Sequence, residues 1–251
     1  MADVNRQDYF LWQPGDIVIT KAKPKPKDDA SSGATKARQP DRAAEEALRK
    51  QIAALLQEQR DRIAADIEAG RPVDWAQVER ELSQRMTPAL AKIATDQAIA
   101  LAVDAGIGFD IAKVNLAAWK WATEYSYELV KGITATTREI VANATAQFIS
   151  TPGMTVGDLV TMLDSAFGST RAQMIAVTET TRAYSQATSI TQAMLGDMGV
   201  KVERVWQTSG DEKVCEICGP LDGKAEDEWD DPEGPPAHVN CRCWMTTRVV
   251  K

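Results

Sequence analysis

The pattern of apolar and polar positions changes twice along the 251-residue chain. Residues 1–40 combine a short apolar patch, YFLWQPGDIVIT, with a Lys- and Pro-rich stretch that has no apolar periodicity. We interpret them as an N-terminal arm and a flexible Lys/Pro linker. From residue 41 apolar residues recur at helical spacing, and after residue 199 the period becomes two. The pattern therefore predicts an α+β protein, with a mainly helical N-terminal part followed by a small C-terminal β-sheet.

Residues 41–106 are predicted to form long amphipathic helices that act as an interaction region. The first helix begins after an N-cap at Asp41 and ends at Gly70, a residue type typical of helix C-termini. The second is capped by Asp74, and Pro88 predicts a break or kink because proline has no N–H to donate.

Residues 107–251 are predicted to form a second domain. It begins with two helices, DIAKVNLAAWKWATEYSYELVKG and TATTREIVANATAQFIS. Thr155 and Asp158 have the spacing of a capping box, and Ser169 is the expected cap of a long helix that reaches about residue 196. The alternating segment VKVERVWQT and the terminal segment CWMTTRVV are then predicted as two strands.

The connection between these strands, with the start of the second one, contains every cysteine of the chain and its single histidine. The candidate metal ligands are Cys215, Cys218, His238, Cys241 and Cys243. The C-x2-C spacing lets one tight turn present two thiolates to a tetrahedral ion. The N-terminal sequence lacks the features of a secretory signal, so we expect reduced thiols and favour a metal site over disulfides or buried thiols.

Four of these five candidates are enough for one structural Zn²⁺ in a closed site. Cys215, Cys218 and Cys241 are three of the predicted ligands. The fourth is either His238, which gives an H-x2-C pair, or Cys243, which places two cysteines on one face of the final strand. The loop between the two halves is polar and acidic, and a metal ion supplies the cross-link that its own side chains lack.

Composition and motifs exclude several other kinds of function. A net charge of −7 argues against a protein that binds nucleic acid over its whole surface. No apolar run reaches about 18 residues, so no membrane-spanning helix is expected. The chain has no Gly-rich phosphate loop, no H-E-x-x-H and no dinucleotide fingerprint, and we predict that it is not an enzyme. Glu179 and Arg182, three apart in TETTRAY, are interpreted as an ion pair on a helix.

Taken together, three segments resemble one family. RAQMIAVTETTRAYSQA, VWQTSGDEKVCEICGPLDGK and PPAHVNCRCWMTTRVV resemble the phage Mu F-like minor head proteins, which are head-morphogenesis proteins of tailed bacteriophages. The resemblance is strong over residues 155–249, and we assign the helices from residue 107 to the same domain. The matching positions are Thr178, Glu179, Arg182, Ala183, Tyr184, Trp206, Cys215, Cys218, Leu221, Asp222, Gly223 and the run from Pro235 to Cys243. Val239 departs from the family pattern, which commonly has proline after the histidine.

The resemblance implies a structural, low-copy component of the phage head. Such a protein acts in head morphogenesis at the portal or procapsid, contacts portal or capsid protein, and is found in the virion and, during assembly, in the host cytoplasm. Two alternative functions belong to other classes of protein. One is a phage-encoded enzyme or toxin-like effector (nuclease, peptidase or transferase) that uses Glu179 and Arg182. The other is an accessory virion protein that contacts DNA through residues 21–40.

Overall fold

The computed structural model describes residues 42–104, 106–108, 110–229 and 234–250. The predicted arm and linker, and the cap at Asp41, lie outside these residues. Five α-helices precede a two-stranded antiparallel sheet. They are α1 (Arg42–Glu68), α2 (Trp75–Asp104), α3 (Ile111–Ser150), α4 (Val156–Phe167) and α5 (Ser169–Asp197), and the strands are β1 (Val202–Gln207) and β2 (Trp244–Val249). The predicted α+β class, helical first and then a small sheet, is confirmed.

All five helices contribute to one apolar core. Its fully buried side chains include Ile52 of α1, Leu90 of α2, Ile133 of α3 and Leu163 of α4. Helices α1 and α2 pack against α5, the helix that precedes the sheet. The first two helices therefore share their core with the rest of the bundle, while the predicted domain boundary after residue 106 stays a prediction.

Helix α2 continues through Pro88, so the predicted break is wrong. Leu82 and Met86 before the proline, and Leu90 and Ala94 after it, are all buried in the core. Proline costs a helix one backbone hydrogen bond and a clash with the preceding turn. Burial of this continuous apolar face outweighs that cost.

We expect Pro88→Ala to raise the free energy of unfolding by about 1–3 kcal/mol, since proline is about 3 kcal/mol less favourable than alanine inside a helix. The midpoint of urea denaturation measures this change. Arg85→Ala, at an exposed position one turn earlier, is the control and should change the stability by less than about 0.5 kcal/mol. A lower midpoint for Pro88→Ala than for the wild type would contradict the prediction.

Helix α3 is one element of 40 residues where the sequence predicted two. Gly132, the last residue of the first predicted helix, lies in the middle of it. Leu129, Val130 and Ile133 around the glycine are buried, so the packing of both halves on the same core maintains the helix. Asp110 caps its start by accepting hydrogen bonds from two backbone N–H groups of the first turn.

The boundary between α4 and α5 is close to the predicted one. Thr155 and Asp158 form the expected capping box at the start of α4. The N-cap of α5 is Gly168 and not Ser169, which is the first residue of the helix. A Cβ at Gly168 would lie 2.5 Å from the Asp164 carbonyl oxygen, so only glycine fits this close approach between the two helices.

The sheet holds the candidate metal ligands against α5. Strands β1 and β2 pair antiparallel, with Val202 opposite Val249 and Trp206 opposite Met245, and both strands contact α5. Both predicted strands are confirmed. None of the helices in the described residues combines the length and apolar composition needed to cross a bilayer.

Candidate metal centre

The first half of the site is a tight turn after β1. The backbone N–H of Cys218 points at the Cys215 sulfur, at 3.4 Å, and the N–H of Gly219 donates to the Cys215 carbonyl oxygen at 2.9 Å. These bonds fold the C-x2-C segment so that both sulfurs lie on one side of the turn. Cys218 is buried, and Cys215 is partly exposed.

The second half is a turn from His238 to Cys241. The Cys241 N–H donates to the His238 carbonyl oxygen at 3.2 Å, and Asn240 has a φ of 66°. Asparagine is among the few non-glycine residues that adopt this left-handed conformation readily. Val239 occupies the second position of the turn, where proline is common in turns, and valine leaves the turn and its ligands in place.

The two turns bring the candidate ligand atoms together. The Cys215 and Cys218 sulfurs lie 3.0 and 3.4 Å from His238 Nε2, and the Cys218 and Cys241 sulfurs are 3.7 Å apart. Tetrahedral Zn²⁺, with Zn–S of about 2.3 Å and Zn–N of about 2.0–2.1 Å, holds its ligand atoms about 3.5–3.8 Å apart. The spacing of the side chains therefore fits such an ion with small adjustments.

All five predicted ligands fall into two groups that share Cys218. One group is Cys215, Cys218 and His238, the other is Cys218, Cys241 and Cys243, and the ligand atoms within each group lie within 4.8 Å of one another. All four cysteines are free thiols. The prediction that Cys241 and Cys243 lie on one face of the final strand is wrong, because β2 begins only at Trp244.

The electrostatics of the cluster suit a cation. The hydrogen bond between the two sulfurs raises the pKa of the Cys218 thiol and lowers that of Cys241. Metal ions bind thiolates, and a bound cation takes the place of the thiol protons. The His238 Nδ1–H donates to the Val239 carbonyl oxygen at 2.8 Å, and this bond leaves the lone pair of Nε2 directed at the sulfurs.

An apolar wall covers the cluster. Trp206 and Trp229 meet edge to face with their ring centroids 5.5 Å apart, and Met245 is buried beside them. Cys218, Cys241 and Cys243 are buried in the same small core. A catalytic zinc keeps one coordination position open to water or substrate, whereas this arrangement is typical of a closed, structural site.

Arg242, between the two late cysteines, connects this site to the first helix. Its guanidinium donates to both carboxylate oxygens of Glu45 in α1, at 2.8 and 3.1 Å. The Gln173 amide of α5 donates to the same carboxylate at 3.3 Å. Three separate parts of the chain therefore meet next to the cluster.

Glu179 and Arg182 lie in a different place. Glu179 is fully buried and accepts a hydrogen bond from the Tyr125 hydroxyl at 2.7 Å, and the Arg182 guanidinium lies 5.2 Å from the centre of the same ring. Burial raises the pKa of Glu179, and the charge of Arg182 partly opposes that rise. A carboxylate with no exposed surface suits the predicted ion pair and gives the catalytic alternative no accessible base.

The sequence analysis missed the side chains that hold the second turn. Thr181 and Ser185 of α5 contact it, and Thr178 was noted only as part of the TETTRAY motif. The signal was present in the spacing, because these three hydroxyls recur at i, i+3 and i+7 along one face of α5.

Comparison with known proteins identifies one family. Residues 135–246, a little under half of the chain, match the family model described as Phage Mu protein F like protein. The match covers α5, β1, the first half of β2 and every candidate ligand, and it confirms the resemblance seen in the sequence. No curated protein and no solved structure matches the chain.

Proposed function

Because residues 135–246 belong to the phage Mu protein F-like family, we propose that the protein is a structural minor head protein of a tailed bacteriophage. It acts in head morphogenesis at the portal or procapsid, binds portal or capsid protein, and resides in the virion. The family match carries this proposal. A mainly helical body with a small C-terminal sheet packed on α5 supports it, since such a module presents rigid surfaces for assembly.

The proposed role has a direct test in the phage that encodes the chain. Purified procapsids and mature heads should contain the protein at a few copies per particle when analysed by quantitative mass spectrometry. Co-expression with the portal protein and with the major capsid protein of that phage should show which of them co-purifies with it. Absence from the particles together with no complex in either pair would refute the assignment.

We further propose that the ligand cluster holds one structural Zn²⁺ through Cys215, Cys218, Cys241 and His238. His238 is preferred to Cys243 as the fourth ligand because its Nε2 lies within 3.4 Å of both sulfurs of the first turn and its Nδ1 is fixed by a backbone carbonyl. Bound zinc would supply a cross-link between the two turns.

Protein purified under reducing conditions without chelator is expected to contain about one zinc per chain, released by thiol modification. His238→Ala should lower the zinc affinity strongly, and Cys243→Ser should lower it little. The absorption of Co²⁺-substituted protein distinguishes three thiolates from four. Zinc content near zero after incubation with zinc would contradict the metal site. If Cys243→Ser lowered the zinc affinity more than His238→Ala did, Cys243 would be the fourth ligand.

Neither alternative function gains support from a described contact. The Lys/Pro stretch proposed to touch DNA, residues 21–40, lies outside the described residues, so this contact stays a prediction. The enzyme alternative depends on Glu179, whose side chain is fully buried and accepts a hydrogen bond from the Tyr125 hydroxyl.

A further inference from the structure

One face of α5 binds the segment that carries the late ligands. The Thr181 hydroxyl donates to the Cys241 carbonyl oxygen at 2.7 Å, and the Ser185 hydroxyl donates to the Pro235 carbonyl oxygen. The Thr178 hydroxyl accepts the Asn240 N–H at 2.8 Å. Helical spacing of i, i+3 and i+7 places these three side chains in one row, which we call the hydroxyl row.

Each hydroxyl of the hydroxyl row is buried and hydrogen-bonded to the ligand segment. Thr178, Thr181 and Ser185 are each at most 6% exposed. Thr178 also donates to the Met174 carbonyl oxygen of its own helix, so its single proton and a lone pair both have partners. Buried polar groups without partners are costly, and the row therefore favours one position of the segment over others.

The contacts fall on the backbone of the ligand turn itself. Asn240 and Cys241 are the last two residues of the turn that begins at His238. A shift of this segment along α5 would break the Thr178 and Thr181 bonds together. It would also move the Cys241 sulfur away from Cys218, 3.7 Å distant.

We propose that Thr178 and Thr181 are positioning residues for the metal site, which hold His238 and Cys241 in the geometry of the bound ion before the ion arrives. This inference rests on the proposed zinc site and deepens it. It also gives a physical reason why a threonine-rich helix motif and a distant cysteine motif occur together in one chain. The helix supplies the outer hydrogen bonds that metal ligands need in order to be preorganised.

Thr181→Val removes the hydroxyl and keeps the shape of the side chain. We expect it to weaken Zn²⁺ binding by about 10–100-fold, the usual effect of removing an outer partner of a ligand. Competition with a chromophoric chelator measures the affinity, and Co²⁺ absorption reports the ligand geometry. Thr181→Ser, which restores the hydroxyl, should restore most of the affinity.

Thr188→Val is the matched control. Thr188 is equally buried on α5, but its hydroxyl donates to the Tyr184 carbonyl oxygen of the same helix. It should leave zinc affinity and the Co²⁺ spectrum unchanged.

A second experiment needs no metal. In Thr178→Val, hydrogen exchange at the Asn240 amide of metal-free protein should become faster than in the wild type.

Three outcomes would overturn the inference, and they differ in what else they overturn. If wild type and Thr181→Val bind zinc with equal affinity, the positioning role is wrong and the metal site stands. If the wild type binds no zinc, the metal site itself is wrong, and the positioning role fails with it. A loss of affinity in Thr188→Val as large as that in Thr181→Val would also overturn it, since the effect would then be general to α5.

Discussion

Cys218→Ser is expected to abolish zinc binding and to unfold the region from β1 to β2 while the helices remain folded. Cys218 is the one residue that belongs to both groups of candidate ligands among the described residues, and it is 2% exposed. Structural zinc contributes about 10–16 kcal/mol of apparent binding free energy in small zinc domains, and there this is folding free energy. The apolar cluster beside the site, built on Trp206, Trp229 and Met245, is too small to replace it.

The helical body has its own core, so the helices should stay folded when the region from β1 to β2 unfolds. Far-ultraviolet circular dichroism of Cys218→Ser should keep most of the wild-type helical signal, while tryptophan fluorescence should show Trp206 exposed to water. Ile217→Ser is the matched control, because Ile217 belongs to the same turn and is 60% exposed. It should behave as the wild type. A Cys218→Ser protein with wild-type fluorescence and full zinc content would contradict the prediction.

Glu179→Ala is expected to lower the free energy of unfolding by about 1–3 kcal/mol, the usual cost of leaving a buried polar group without its partner. The substitution leaves the Tyr125 hydroxyl without its acceptor and Arg182 without the carboxylate it faces. Glu179→Gln keeps a hydrogen-bond acceptor of the same shape and should cost much less. Glu124→Ala, at an exposed position on α3, is the control, and chemical denaturation at neutral pH measures all three.

The titration of Glu179 predicts in which direction the stability changes with pH. Burial raises the pKa of Glu179 in the folded protein, so the unfolded chain loses this proton first as the pH rises. The stabilisation is complete below the unfolded pKa of about 4.3 and is lost as the pH rises through the folded value. The stability of Glu179→Gln relative to the wild type should therefore increase from pH 4 towards neutral pH. Parallel stability curves for the two proteins would show that Glu179 does not titrate with folding.

Local signals in the sequence predicted the elements that are determined locally. Thr155 and Asp158 satisfy each other's backbone donors within one turn, and no distant residue is needed to place that helix start. The first strand was predictable from the alternation of VKVERVWQT and the second from the β-rich composition of CWMTTRVV, which are properties of each segment alone. The C-x2-C and H-x2-C spacings indicated the candidate ligands for the same reason.

Elements that depend on distant contacts were not predictable in this way. Pro88 and Gly132 interrupt a helical pattern locally, yet both lie inside continuous helices because buried residues on either side of each pack on one core. The course of Cys241 and Cys243 before β2 depends on the turn at Asn240 and on its contacts with α5. No spacing within the cysteine segment contains that information.

The ion pair between Arg242 and Glu45 joins the two ends of the described chain. Glu45 lies in the first turn of α1, three residues after the point where the described chain begins. Arg242 lies between Cys241 and Cys243, so the start of the helical body contacts the loop that carries two of the candidate ligands. A partner that bound the first turn of α1 and displaced this contact would therefore also disturb the segment that carries the late ligands.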